Sequence, residues 1–180
     1  MDLFEAVAHR RSIRKYLDEP VADDDLAQML EAGRAAASWT NNQVWEIVIV
    51  KDPETKQRLA ETLPKTNPAK KAIANAPVVI AACGRQGESG FYKGQASTAL
   101  GDWLMFDVAL FLANVTHAAH ALGYGTVHVG LLDHAAAEQI LGVPDGVRLV
   151  ELMPLGRPAN LNKKAPGRKQ VSEFLHAETY

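Results

Sequence analysis

The stretch from Gln95 to Leu122 constrains the fold of this chain most. It is rich in alanine, carries few charges, and sets Trp103, Phe106, Leu110, Val115 and Leu122 among its bulky apolar residues. A helix predicted over 95–122 has almost no polar face to offer water, so it must be nearly wholly buried. The rest of the chain has to cover it. Trp45-Glu46-Ile47-Val48-Ile49-Val50 is a β-branched run that predicts a buried strand, and Val78–Cys83, apolar on both faces, predicts a strand at the centre of a sheet. No window reaches the roughly 18 uninterrupted apolar residues of a membrane span. The opening Met-Asp-Leu-Phe-Glu lacks a basic region followed by a long apolar one, so the expectation is a soluble, cytoplasmic protein.

In chain order, Leu3, Phe4 and Val7 form a short apolar stripe at helical spacing. After Glu19-Pro20, Asp23 is the expected cap of a helix whose apolar positions are Leu26, Met29 and Leu30, with Gly33-Arg34-Ala35-Ala36 beyond. Ser38-Trp39-Thr40-Asn41-Asn42-Gln43 has turn chemistry and sits at the mouth of the first strand. Asp52-Pro53 supplies a cap and a first-turn proline for a helix to about Leu63, and Pro64 and Pro68 interrupt around a basic segment with Lys65, Lys70 and Lys71. Residues 84–94 are glycine-rich and irregular, an exposed loop.

Gly123-Tyr124-Gly125-Thr126 ends the long helix, and Val127-His128-Val129-Gly130 is a short predicted strand. Asp133 caps a helix containing Ile140 and Leu141 that stops at Gly142, and Val147–Met153 alternates into another strand. The tail from Pro158 is polar apart from a small apolar face of Val171, Phe174 and Leu175 that needs a partner surface. At 180 residues, with no repeat or linker, the expectation is a single domain spanning 1–180. Alternating helices and strands suggest, on physical grounds alone, an α/β arrangement.

His9-Arg10-Arg11-Ser12-Ile13-Arg14-Lys15-Tyr16 puts cations and a hydroxyl into a few residues. Arginine's planar fork matches phosphate oxygens two at a time and Ser12 can add a donor, so the cluster suits a phosphate monoester. It equally suits a solvated basic helix end that complements the macrodipole. The excess is local: 19 Lys and Arg against 21 Asp and Glu give a formal charge of −2, which argues against nucleic acid or an anionic membrane as partner. A single cysteine, Cys83, excludes an intrachain disulfide and any multi-cysteine metal or iron–sulfur site, and its apolar run makes it an inert buried thiol. His117 and His120 stand three apart on the long helix without a carboxylate or thiol in a ligand pattern, so no metal site is expected. Gly84-Arg85-Gln86-Gly87-Glu88-Ser89-Gly90 follows a strand but lacks the GxGxxG spacing of a dinucleotide loop.

With the opening cluster, the Ser-Trp-Thr-Asn-Asn-Gln-Val-Trp turn and the Ala-Ala-His-Ala-Leu-Gly-Tyr-Gly-Thr helix end in order, the chain resembles the nitroreductase family of FMN-dependent oxidoreductases nearly end to end. Arg10, Ser12 and Arg14 meet the family's Arg-x-Ser-x-Arg opening, with Arg11 in the variable slot, which implies binding of the FMN phosphate and ribityl end. Ser38, Asn41, Gln43 and Trp45 match its second motif, with Ala37 and Val44 where relatives carry prolines. The resemblance implies that this turn comes from the other subunit and lies against the flavin, making Ser38 and Asn41 contacts in trans. Asn67 and Lys71 match residues that reach the flavin pyrimidine edge, Val129 and Gly130 match backbone contacts around N5, and His128 replaces a frequent aromatic. Pro166-Gly167-Arg168-Lys169 resembles the late motif that returns a cation, Arg168 or Lys169, to the phosphate.

The implied fold is α+β, a largely antiparallel central sheet wrapped by helices in an intertwined homodimer with two FMN sites at the interface. The long, nearly uncharged helix and the unpartnered tail independently favour a dimer. The implied activity passes hydride from NADH or NADPH through FMN to an electron-poor small molecule such as a nitroaromatic or quinone in two half-reactions, with no side chain acting as nucleophile. A flavin-binding protein without turnover and a specialised chemistry such as reductive dehalogenation are the alternatives.

Overall fold

The computed structural model of the chain describes residues 1–160 and 165–180; residues 161–164 of the polar tail lie outside the described residues. Helix α1 (Leu3–His9) opens on a capping box, with Glu5 N–H donating to Asp2 Oδ1 at 2.9 Å. Then follow α2 (Asp23–Arg34), β1 (Trp45–Val50), α3 (Pro53–Glu61), α4 (Lys70–Asn75), β2 (Val78–Arg85), the two-residue strands β3 (Phe91–Tyr92) and β4 (Gln95–Ala96), α5 (Leu104–Ala121), β5 (Gly125–Thr126), α6 (His134–Leu141) and β6 (Val147–Gly156). Three local signals act as expected: Asp52 accepts from Thr55 N–H at 2.7 Å, Asp133 accepts from Ala136 N–H at 3.0 Å, and Gly142 closes α6 with φ +66°.

The main sheet runs β1-β2-β6-β5, every neighbouring pair antiparallel. This is the mixed, antiparallel architecture implied by the resemblance, not the parallel α/β arrangement suggested by alternation. The reason lies in the connections. A single crossover helix would carry the chain back to start a parallel strand, whereas the pair α3 and α4 returns it to the end of the sheet it left, so Val50 lies opposite Val79. β2 is central and buried along seven of its eight residues. β1, expected to be buried, is an edge strand: Trp45, Ile47 and Ile49 pack inward while only Val50 is fully buried.

One face of the sheet is covered by α2 and α5, through Leu26, Met29, Val108, Phe111 and Val115 against Val78, Ile80, Ala82 and Met153. The other is covered by α3, α4 and α6, through Leu59, Ile73 and Ala137 against Val79, Ala81, Leu149 and Leu152. The long helix starts at Leu104 and not at Gln95, because Gln95–Ala96 pair with β3 and Gly101 turns the chain at φ +74°. By length and composition α5 could cross a bilayer. Within the chain, eight of its eighteen residues are buried, so the expectation of near-complete burial is not met: the stripe facing α2 and the sheet is covered, while Met105 and Phe106 are exposed. Leu3, Phe4 and Val7 on α1 and Val171, Phe174 and Leu175 in the tail are exposed as well.

Two further expectations shift. Asp23 lies in the first turn of α2 and pairs with Lys51 at 2.6 Å, while Ala22 occupies the cap position. The strand expected at Val127–Gly130 forms two residues earlier, where Gly125 and Thr126 meet Gly156 and Leu155; beyond it only Val129 pairs, with Leu152.

The crossing of α2 and α5 depends on Gly33, where an added Cβ would stand 2.6 Å from the Phe111 ring and 2.8 Å from Val115 Cγ2. Both neighbours are buried and cannot retreat. Gly33→Val is therefore expected to lower stability by about 2–3 kcal/mol, overpacking outweighing the at most ~1 kcal/mol that a glycine removed from a helix returns. Chemical denaturation of the two proteins measures this directly.

Candidate functional site

After α1 the chain turns extended and runs past β5 to the residues that follow β6. Ile13 N–H donates to Thr126 O at 2.9 Å, Leu17 N–H to Arg157 O at 2.9 Å, and Ala159 N–H to Lys15 O at 3.0 Å. Tyr16 OH donates to Ile13 O at 2.6 Å and lies 3.1 Å from Pro154 O. Gly125 makes the approach possible, since a Cβ there would be 2.6 Å from Ile13. With Ile13 buried inward, alternation turns Ser12 and Arg14 the other way.

The basic cluster now divides. Arg11 spends its guanidinium on the end of α1, with Nη1 2.7 Å from both Ala8 O and Arg10 O, so for this residue the helix-end reading holds. Arg10 differs. Its pKa is lowered by burial and then by the charges of Arg168 and Arg11, a crowd of cations that only a counter-anion would relieve. Arg14 Nε is buried without a hydrogen-bond partner among the described residues. His117 and His120, in the last turns of α5, are pushed below the ordinary histidine range by burial first and by Arg10 second, and His120 Nε2 too is buried without a partner among the described residues.

Arg14 lines a cavity of about 640 Å³ together with Lys15, Tyr16, Pro68, Lys71 and Asn75. Its charged side chains are all cationic, and burial raises the Tyr16 phenol, keeping it protonated. Of the two neighbouring lysines, Lys70 is tied to Glu61 at 2.8 Å, whereas Lys71 is exposed and has no ion pair among the described residues. Asn67 acts as a fastener: its Nδ2 donates to Leu131 O at 3.1 Å and its Oδ1 accepts from Ala69 N–H at 2.9 Å, which brings Gly130 alongside the Lys71 segment. Val129 exchanges both backbone bonds with Leu152 at 3.1 Å, so its N–H is engaged, while open space surrounds the Gly130 Cα.

The structure thus sets Arg10 beside Arg168 and near His117 and His120 at the end of α5, places Arg14 and Lys71 on one cavity, and fastens Asn67 to Leu131 next to Gly130, with Ser12 on the segment that joins Arg10 to Arg14. Lys169 follows Arg168 on the exposed tail. Ser38 and Asn41 are not brought to this group. Their turn is tied to Asp107, whose Oδ1 accepts from Trp39 N–H at 3.1 Å, and Asp107 precedes His117 by ten residues, about 15 Å along a helix. Ser38 Oγ accepts from Gln43 N–H at 3.0 Å.

Three participants escaped the sequence. His128 has Nδ1 2.5 Å from Glu151 Oε1 and Nε2 3.2 Å from Thr116 Oγ1, so Glu151 and Thr116 fix its ring. Glu151, the one carboxylate in a strand that is otherwise apolar from Leu149 to Met153, was the available signal. Arg85, at the end of β2, gave no signal of its own, having been read as part of an irregular loop.

Comparison with known proteins follows the same lines. Residues 7–157 match the family described as "Nitroreductase family". An FMN reductase (NAD(P)H) of Bacillus subtilis is 30% identical, the match covering 99% of this chain and 74% of that protein. An NADH dehydrogenase of Thermus thermophilus is also 30% identical, over 88% of each. The crystal structure of a nitroreductase family protein from Clostridium novyi NT superposes with a TM-score of 0.80 at 26% identity, covering 92% of this chain and 89% of that one.

Cys83 stands apart from the site, buried on β2 among apolar neighbours with its thiol pushed up to about 11, mainly by burial. At pH 8 roughly one molecule in a thousand would carry the thiolate. A disulfide reagent such as DTNB is expected to leave the native protein unlabelled and to titrate one thiol after denaturation; rapid native labelling would return Cys83 to the list of nucleophiles.

Proposed function

The chain belongs to the nitroreductase family, and from that membership we propose that it works as an FMN-dependent oxidoreductase, moving electrons from NADH or NADPH to an electron-poor acceptor such as a nitroaromatic or a quinone. The observation that carries this reading is the cavity whose charged lining residues, Arg14, Lys15 and Lys71, are all cationic, with Arg14 Nε buried without a partner and Lys71 without an ion pair among the described residues. Those residues fit FMN. A phosphate dianion would take the donors of Arg10, Ser12 and Arg168, relieving the mutual repulsion of the arginines, and the orphaned Arg14 Nε would gain an acceptor next to it.

When bound, FMN supplies a two-electron carrier that takes hydride from NAD(P)H and hands it to an acceptor occupying the same open face in turn, a ping-pong sequence. The protein's own part is electrostatic and steric. Arg10, Ser12 and Arg168 would hold the phosphate, Lys71 would supply a positive charge to offset the negative charge that reduction adds to the flavin, and Gly130 would let backbone approach without a side chain in the way. Asn67 keeps Gly130 and Lys71 in register through its bond to Leu131 O. No side chain has to act as nucleophile.

A second copy of the chain completes the site in this reading. Ser38 and Asn41 stand too far along α5 to reach the Arg10 group of their own chain, and would serve the partner's flavin in trans. Leu3, Phe4, Val7, Met105, Phe106, Phe174 and Leu175 are among the exposed apolar side chains available to an interface. Each is worth about 1.5–3 kcal/mol when fully buried. Counted on two copies, that exceeds an association cost of about 4–15 kcal/mol.

The visible absorption spectrum of the purified protein is the first test, with FMN at about one per chain and bleaching by NAD(P)H as the expected result. Replacing both Arg10 and Arg14 with Ala is expected to abolish FMN retention; an unchanged dissociation constant would sink the phosphate assignment. Lys71→Met is expected to retain FMN yet slow its reduction by NAD(P)H about tenfold in stopped-flow mixing, because the charge beside the ring is lost while the phosphate anchor is not.

A further inference from the structure

The turn at residues 38–43 is held in an unfavourable backbone shape by groups from three other parts of the fold. Thr40 (φ +44°), Asn41 (+61°) and Gln43 (+50°) all occupy the left-handed region, which is costly for a β-branched residue such as Thr40, and all three are exposed. No burial of their own side chains offsets this. The holding comes from Arg85 and Asp107. Arg85 Nη2 lies 3.3 Å from the carbonyl oxygens of both Asn42 and Gln43, its Nη1 donates to Glu46 Oε1 at 2.6 Å, its Nε donates to Glu88 Oε1 at 2.9 Å, and its backbone N–H donates to Val44 O at 2.9 Å. Asn42 Nδ2 adds a bond to Glu88 O at 3.0 Å. On the other side Asp107, with no exposed surface, accepts Trp39 N–H, and the Trp39 ring rests on Trp103 at 5.3 Å.

Burying a carboxylate for a single hydrogen bond is expensive, and Asp107 Oδ2 has no partner among the described residues. Such an arrangement persists where the bond it makes is needed. Ala37 and Val44 flank the turn and leave its backbone free to rotate, so external bonds must supply the stiffness. We propose that Arg85 and Asp107 are positioning residues for the flavin of the partner subunit, clamping the turn in the one shape that presents Ser38 and Asn41 across the interface. The inference rests on the trans contact proposed above.

The test is the FMN dissociation constant of full-length protein stripped of FMN and retitrated by flavin fluorescence, read alongside sedimentation and thermal unfolding. Asp107→Ala is expected to weaken FMN about tenfold, the value of one hydrogen bond to a charged group, while Asp107→Asn, which keeps the acceptor for Trp39, stays within about twofold of wild type. The double variant Glu46→Gln/Glu88→Gln alters exposed carboxylates only and carries the test should Asp107→Ala fail to fold; it is also expected to lose affinity with the dimer intact. A mixed dimer of an Asp107→Ala chain and an Arg10→Ala/Arg14→Ala chain is expected to regain one tight FMN, because one of its two sites draws every contact from unaltered residues. Wild-type affinity in Asp107→Ala or Glu46→Gln/Glu88→Gln, with Ser38→Ala/Asn41→Ala weakened, overturns the positioning role and leaves the trans contact standing. Wild-type affinity in Ser38→Ala/Asn41→Ala overturns the trans contact itself.

Discussion

Burial of α5 is the constraint on which the rest of the structure depends. A helix this apolar must be covered, and one chain supplies cover for one stripe of it, through Leu26, Met29 and the inner residues of β2 and β6. Gly33 shows how closely the cover is fitted, with α2 drawn in until a single Cβ would collide with the Phe111 ring. Away from that stripe, α1, the first turn of α5 and the tail all present large apolar side chains outward. The fold of one chain is therefore self-consistent on its two sheet faces and unfinished at α5, and the proposed site has the same division, with cations at one end of the helix and the polar turn at the other.

Electrostatics at the cationic end run against folding stability. Arg11 and Arg168 repel Arg10, burial lowers the Arg10 pKa further, and burial together with Arg10 lowers the pKa of two nearby histidines. Groups arranged for a chain's own stability would include a carboxylate among them, and elsewhere this chain does so freely, as with Lys51 and Asp23 or Arg148 and Glu138. A cluster that omits it among the described residues is the arrangement that the proposed anchoring of an external anion requires.

What could be seen in the sequence was local. The caps at Asp52, Asp133 and Gly142 and the apolar run of the central strand at 78–83 each depend on a few neighbouring residues, and local chemistry decides them. What escaped depends on partners distant in the chain. The antiparallel direction of β2 follows from how α3 and α4 return, the edge position of β1 from which strands find one another, and the half-burial of α5 from how much surface one chain can spare. The role of Arg11 at the end of α1, the fastening of Asn67 to Leu131 and the clamp of Arg85 on Asn42 and Gln43 are of the same kind. Glu46, Glu88 and Arg85 are unremarkable charges in sequence and become a unit only when β1 lies beside β2.

The pairing of the opening segment with the end of β6 has a consequence for the order in which the molecule is made. Lys15 and Leu17 bond to Ala159 and Arg157, and Ile13 to Thr126, contacts separated by more than a hundred residues. Such long closures are late events on a folding route. During synthesis Arg10, Ser12 and Arg14 emerge before every strand of the sheet, and their segment finds its backbone partners only when β5 and the residues following β6 have been made. The basic segment therefore lacks its backbone partners while the sheet is being made, and it takes its final shape only once β5 and β6 have paired.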